Sequence, residues 1–461
     1  MGIVAAFMVP HPPLIVPEIG KGEERRIQKT IDAYGETAQR IAKIRPETIV
    51  LISPHQVMYA DYFHISPGRG AKGDFGQFSA GWVKLETAYD AEFVEELCAL
   101  SEAWGIPAGT RGERERKLDH GTMVPLYFVN QYFREYRLVR VGLSGLPLSE
   151  HYRLGQCIRE ACLNLNRRVV LIGSGDLSHR LKEEGPYGFR QEGPEYDRRI
   201  MDVMSRAAFG ELLDFPEDFC EKAGECGHRS FTVMAGALDR AKVLTERLSY
   251  EGPFGVGYGI CTYEVQGSDP GRNFGQQFEE REKMRIQEMR SREDDYVRLA
   301  RKTIETYVRT GRMIEIPEDL PEEMYSRQAG AFVSVKKNGS LRGCIGTITA
   351  TQESIAGEII ENAVSAAVRD YRFSPIEERE LDCLSISVDI LGGRERISSP
   401  SELDVRRYGV IVTKGNRRGL LLPNLDGVDT VEEQIAIAKR KAGIGDAEEV
   451  QLERFEVVRH Y

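Results

Sequence analysis

The chain has 461 residues, a formal net charge of -10, 41% apolar and 29% charged residues. That length exceeds one ordinary core of roughly 100 to 200 residues, so two domains are expected. The acidic balance argues against a nucleic-acid partner, and no apolar run approaches the ~20 residues of a membrane span.

The apolar start GIVAAFMVP has no basic flank and no small-residue cleavage site, and it reads as a first strand rather than a signal segment. A helix-like stretch around 23–44 follows, then the strand TIVLISP, and later the strands YRLVRVGL and RVVLIGSG with a helix around 149–164 between them. Continuous apolar strands alternating with amphipathic helices predict an α/β domain over residues 1–266, a mainly parallel sheet flanked by helices. Residues 267–291 lose this periodicity, first with Gly and Pro and then with a run of charges, and read as a polar linker.

Residues 292–461 mix helices with short hairpins and predict a smaller α+β domain. Its expected elements begin with a helix over Asp294–Thr310, a hairpin in AFVSVKKNGSLRGCIGTI turning at Asn338 and Gly339, and a helix over Glu353–Arg369. Strands in LSISVDIL and YGVIVTKGNRRGLLLP and a helix over Thr430–Lys441 complete it. The eight cysteines include no C-x-x-C pair, which argues against zinc ribbons and iron-sulfur ligation and fits thiols of a reducing, cytoplasmic compartment.

Seven of the eight histidines fall in the first half of the chain. Three apolar runs end alike: GIVAAFMVP precedes His11, TIVLISP precedes His55, and RVVLIGSG precedes Asp176 and His179. Open α/β sheets place their ligand crevice at the carboxyl ends of the strands, so these side chains should converge. Two imidazoles and one carboxylate leave coordination positions open, the arrangement that suits non-heme iron(II), with zinc as the alternative. His11 and His55 are the imidazole candidates. Glu225, just before an amphipathic helix, is the carboxylate candidate, with Glu251 in competition. Glu225 would equally serve as a helix-start acid favoured by the dipole. His179 has the chemistry of an acid/base for a hydroxylated substrate, Asp176 either orients it or caps the turn, and His120 could donate to a substrate oxygen. His64 and His151 read as structural, and His228 as a partner standing behind the site.

The segments VPHPPLIVPEIG, LISPHQ, LDHGTMVPLYF and SGDLSHRL resemble the LigB-type class III extradiol dioxygenases and their relative Memo over nearly all of residues 1–266. That resemblance implies iron on His11 and His55, His179 as acid/base, His120 facing a catechol-like aromatic substrate, and oxygen as co-substrate. In the dioxygenases a Glu completes the triad and in Memo a Cys stands nearby; here Glu225 and Cys226 are adjacent, leaving both open. LRGCIGT, AVSAAVRDYRFSP and GLLLPN are similar to the AMMECR domain over about 290–461. The combined architecture resembles the AmmeMemoRadiSam systems, which implies a radical-SAM protein partner. Within LRGCIG, Arg342 could clamp an anion and Cys344 could be a nucleophile, or the segment is a tight strand turn around a buried thiol. Three readings follow: iron(II)-dependent ring cleavage, a metal-binding accessory role, and hydrolysis by a metal-activated water. A symmetric dimer is the default expectation for such a protein.

Overall fold

The computed structural model describes residues 2–112, 117–337, 339–425 and 427–461, which divide into two compact units, Met1–Phe278 and Glu279–Tyr461. In chain order the strands of the first unit are β1 (Ile3–Val9), β2 (Thr48–Ser53), β3 (Phe63–His64), β4 (Gly70–Phe75), β5 (Ala80–Ala88), β6 (Ala108–Gly109), β7 (Arg137–Gly142), β8 (Val169–Ser174), β9 (Ala241–Glu251) and β10 (Tyr258–Ser268). Six of them form one sheet in the order β7-β2-β8-β1-β10-β9. β7, β2, β8 and β1 run parallel, and β10 and β9 close one edge antiparallel.

The apolar runs are continuous because both faces of this sheet are covered. Ala6 and Met8 of β1 and Val50 and Ile52 of β2 enter one core. Their alternates Ala5, Phe7, Val9, Ile49 and Leu51 enter the other. The first core is roofed by the helices Ala91–Ala103, Leu148–Asn164, Glu192–Ser205 and His228–Ala237, the second by Gln28–Ile44 and His120–Val129. β8 lies between β1 and β2, so the segments leaving these three strands emerge side by side at one edge.

Two helices of the first core touch backbone to backbone. A Cβ on Gly155 would stand 2.1 Å from the Val233 carbonyl oxygen, and one on Gly236 2.0 Å from that of Tyr152. Only glycine permits this approach, and it presses the His228–Ala237 helix against the sheet beneath the loop that carries Cys226.

The second unit contains β11 (Ala331–Lys337), β12 (Ser340–Gly346), β13 (Leu384–Ile397), β14 (Gly409–Lys414), β15 (Arg417–Leu421) and β16 (Gln451–His460). They form a curled antiparallel sheet in the order β12-β11-β13-β16-β14-β15. Asp295–Thr310 and Ile355–Val368 pack on one half and Val431–Lys441 on the other. Of the two residues expected at the first hairpin turn, Gly339 has φ +82° and Asn338 lies outside the described residues. The stretch read as a linker holds the end of β10, a short turn and the helix Phe274–Ser291. Its charge run pairs along that helix, as between Arg285 and Glu282 at 2.7 Å. Among the described residues no helix is long and apolar enough to cross a membrane.

Gly236→Ala is expected to lower the urea midpoint of the first unit's unfolding at unchanged slope, by about 1–3 kcal/mol, the cost of overpacking a closed contact. An unchanged midpoint would show that the two helices can separate at no cost.

Candidate metal centre

His11 and His55 each stand two residues beyond the end of their strand, and their side chains meet. Their Nε2 atoms lie 2.9 Å apart. Cys226 Sγ lies 3.5 Å from the same His11 nitrogen, and the three donor atoms fall within 4.8 Å of one another. Cys226 reaches this point because Gly175, just after β8, meets Gly227; a Cβ on Gly175 would sit 2.1 Å from the Gly227 Cα. The Asp176 amide donates to Cys226 Sγ at 3.3 Å, and the Cys226 amide donates back to the Asp176 carbonyl. An ion about 2.0–2.1 Å from nitrogen and about 2.3 Å from sulfur in tetrahedral geometry would hold nitrogen and sulfur about 3.5 Å apart. Two imidazoles and a thiol are donor types that a transition metal takes.

A hydrogen-bond relay fixes which His11 nitrogen is free. Pro125 sits inside the His120–Val129 helix and has no N–H, so the Gly121 carbonyl four residues earlier lacks its helical donor. Ser174, the last residue of β8, donates its hydroxyl to that carbonyl at 2.6 Å. A hydroxyl has one proton, so its 2.9 Å contact with His11 Nδ1 must be an N–H donated to Ser174 Oγ. His11 is thus the Nδ1–H tautomer, with its Nε2 lone pair facing His55 and Cys226. The same logic applies to His179. Its Nδ1 faces the Gly224 carbonyl, which can only accept, so Nε2 is left as a proton acceptor.

Glu225, the carboxylate expected from the sequence, does not join the cluster. Its Oε2 accepts from the His228 amide at 2.5 Å, which satisfies a free N–H at the start of the His228–Ala237 helix. Glu251 is likewise occupied, accepting from the Thr30 amide and hydroxyl at 2.8 and 2.9 Å. Asp176 does not orient His179; its Oδ1 accepts from the His11 backbone amide at 2.7 Å and so holds the main chain of His11. His120 stands beside the pair, its ring centroid 4.0 Å from that of His55 and 5.4 Å from that of His11. Its neighbour Asp119 caps the helix by accepting from the Thr122 amide, accepts from Ser53 Oγ and pairs with buried Arg140 at 3.3 Å. A cavity of about 470 Å³ opens here, lined by His55, Asp74, Gln77, Lys117 and His120 among others. His228, expected behind the metal, is turned away to Tyr196 and the Leu212 carbonyl. His64 and His151 bond backbone carbonyls away from the cluster.

Burial dominates the electrostatics. It holds His11 well below the usual imidazole range, with His55, His120 and His179 adding to the effect. Burial also brings His120 down to about 4 and lowers His55 and His179. The imidazoles are therefore neutral near pH 7, the state that ligation and general-base work require. Burial pushes Asp176 and Glu225 each up to about 7 and raises the Cys226 thiol, to which Asp176 and Glu225 contribute.

In the second unit Arg342 is committed to structure. It donates to both carboxylate oxygens of Glu380 at 3.1 and 2.9 Å and to the carbonyls of Ser374 and Pro375, so it does not serve as the expected anion clamp. Cys344 accepts from Ser334 Oγ at 3.2 Å, and its own amide donates to Asp370, which Arg372 also holds. The half-buried thiol sits in a braced strand, and its hydrogen-bond partner is Ser334 rather than Arg342.

Two outcomes follow. Ser174→Ala should weaken zinc binding about 10- to 100-fold in a competition with a chromophoric chelator, and Ser174→Thr should restore it; equal affinity in all three would remove the relay. For Glu380, burial alone would raise the pKa, but Arg342, the Glu377 amide and Lys337 outweigh it and hold the carboxyl at about 2. Its stabilisation is thus complete above the unfolded value of about 4.3 and disappears as pH falls through about 2. The stability gap between wild type and Glu380→Gln should be widest near pH 7 and close towards pH 2 in a melting series.

The family model described as "Catalytic LigB subunit of aromatic ring-opening dioxygenase" matches residues 5–261, and the AMMECR1 model matches residues 297–460. Protein CA_C1420 of Clostridium acetobutylicum is 41% identical over 100% of this chain and 99% of its own length. A Thermotoga maritima protein is 53% identical over 36% of this chain and 98% of its own. Among solved structures, the uncharacterized protein PH0010 from Pyrococcus horikoshii is 35% identical over 36% of this chain and 88% of its own, at a TM-score of 0.34. The chain belongs to the LigB family, with an AMMECR1 domain fused behind the LigB domain.

Proposed function

We propose that the LigB domain binds one transition metal, iron(II) or zinc, on His11, His55 and Cys226, and serves as a metal-binding accessory component rather than a ring-cleaving enzyme. The observation that carries this reading is the third donor. The donor that stands beside the two imidazoles is the Cys226 sulfur, while Glu225 accepts from a helix amide. A thiolate makes a softer donor set, suited to zinc, copper(I) or iron. A bound metal would act as a Lewis acid on an oxygen ligand at its open positions. His179 Nε2 is the acceptor for that ligand's proton, and His120 and the 470 Å³ cavity receive the rest of a small molecule. A radical-SAM protein is the partner class for such a component, and a second copy of the chain the default companion.

A second reading keeps ring opening. His179 carries a free base nitrogen, and His120 stands 4.0 Å from the His55 ring, the groups that deprotonation and protonation of a catechol-like substrate require.

One experiment separates the two. Protein purified without oxygen and loaded with one equivalent of iron(II) is exposed to a panel of catechols and then to air. The accessory reading expects metal retained in wild type and Glu225→Gln, metal lost in His11→Ala and Cys226→Ala, and no ring-opened chromophore. Turnover to that chromophore would overturn it in favour of the dioxygenase.

A further inference from the structure

The end of the sheet opposite the metal centre carries a second cavity of quite different chemistry. It measures about 750 Å³ and is lined by Arg69, Arg134, Arg137, Arg167, Glu47 and Glu135 among others. Glu47 precedes β2 and Arg137 opens β7, so the cavity lies at the amino-terminal ends of the parallel strands. Six residues of strand at about 3.3 Å each put it roughly 20 Å from His11 and His55.

Backbone hydrogen bonds bring the arginines together. The Tyr89 amide donates to the Arg69 carbonyl and the Asp90 amide to the Leu138 carbonyl, stitching the start of β4 to the start of β7. Arg137 donates its own amide to the Glu47 carbonyl. Arg167 is answered by Glu92 and is left out of the count. The other three are not answered by carboxylates. Arg134 uses only its Nε, on the Asn130 carbonyl, and among the described residues the guanidiniums of Arg69 and Arg137 have neither an ion pair nor a hydrogen bond. Both lining carboxylates are already engaged: Glu47 accepts from the Arg168 amide at 2.9 Å, and Glu135 pairs with Arg45 at 2.9 Å.

Three arginines without a carboxylate partner line one concavity in a chain whose net charge is -10. Like charges gathered around one cavity repel, and an anion that accepts from them offsets that repulsion. The donors arrive from two segments of the chain, Arg69 just before β4 and Arg134 and Arg137 around the start of β7. A planar carboxylate serves donors in one plane, whereas a tetrahedral phosphate presents oxygens in several directions at once. We propose that this cavity is a binding site for a phosphate-bearing small molecule, independent of the metal centre.

The test uses the full-length protein and inorganic pyrophosphate as probe, by titration calorimetry at constant ionic strength, with malonate as the carboxylate comparison. Saturable one-to-one binding of pyrophosphate is expected. It should weaken about 10- to 100-fold in Arg69→Ala and in Arg137→Ala, while zinc affinity stays that of wild type. Arg69 precedes its strand and carries only its carbonyl into the fold, so Arg69→Ala keeps the test valid if the β7 variant does not fold. No saturable binding at millimolar pyrophosphate, malonate bound as tightly, or affinity untouched by Arg69→Ala would each overturn the proposal.

Discussion

A sheet buried on both faces leaves its strands only their ends for polar chemistry. β1, β2 and β8 are apolar inward on both sides, so a histidine or aspartate within them would face a dry core, at a cost of several kcal/mol unless partnered. Because β8 lies between β1 and β2, the residues just beyond the three strands meet over its end. The centre is a consequence of that strand order. His11 and His55 are 44 residues apart in the chain and adjacent in space.

Meeting is not enough to make a ligand, because a neutral imidazole offers a lone pair on one nitrogen only. The relay from Pro125 through the Gly121 carbonyl and Ser174 decides which nitrogen that is. It depends on a residue that is costly in a helix interior, since proline forfeits a hydrogen bond there. The forfeited bond does not leave an orphan carbonyl, since Ser174 supplies the donor. A local defect of the helix is thus converted into the orientation of a side chain on the neighbouring strand end.

Much of this was legible in the sequence and some was not, for definable reasons. Continuous apolar runs ending in His, His and Asp-x-x-His announced a parallel sheet and a shared crevice, because strand period and burial leave few other solutions. The second unit's LRGCIG strand was equally visible as a strand, but the partner of Arg342 was not, since Glu380 lies 38 positions away and no local pattern links them. Ser174 was missed because one serine at a strand end carries no signal until the Gly121 carbonyl is placed beside it. The helix Phe274–Ser291 was hidden because a helix with little apolar face, held by pairs of charges, has the composition of a linker.

The choice between Glu225 and Cys226 is where sequence reasoning had to stop, and the start of the next helix bears on it. The His228–Ala237 helix begins two residues after Cys226, and the amide of buried His228 at its start needs an acceptor. Glu225 reaches the His228 amide; the sulfur of Cys226, a weak acceptor on a short side chain, could not satisfy that N–H as well. Turning Glu225 towards the histidines would gain a metal ligand and orphan a buried donor, a loss of about 1–3 kcal/mol. The cysteine meanwhile needs no reach, because the contact of Gly175 with Gly227 already carries its backbone to the end of β8. The helix start holds the carboxylate, and the thiol stands beside the two histidines.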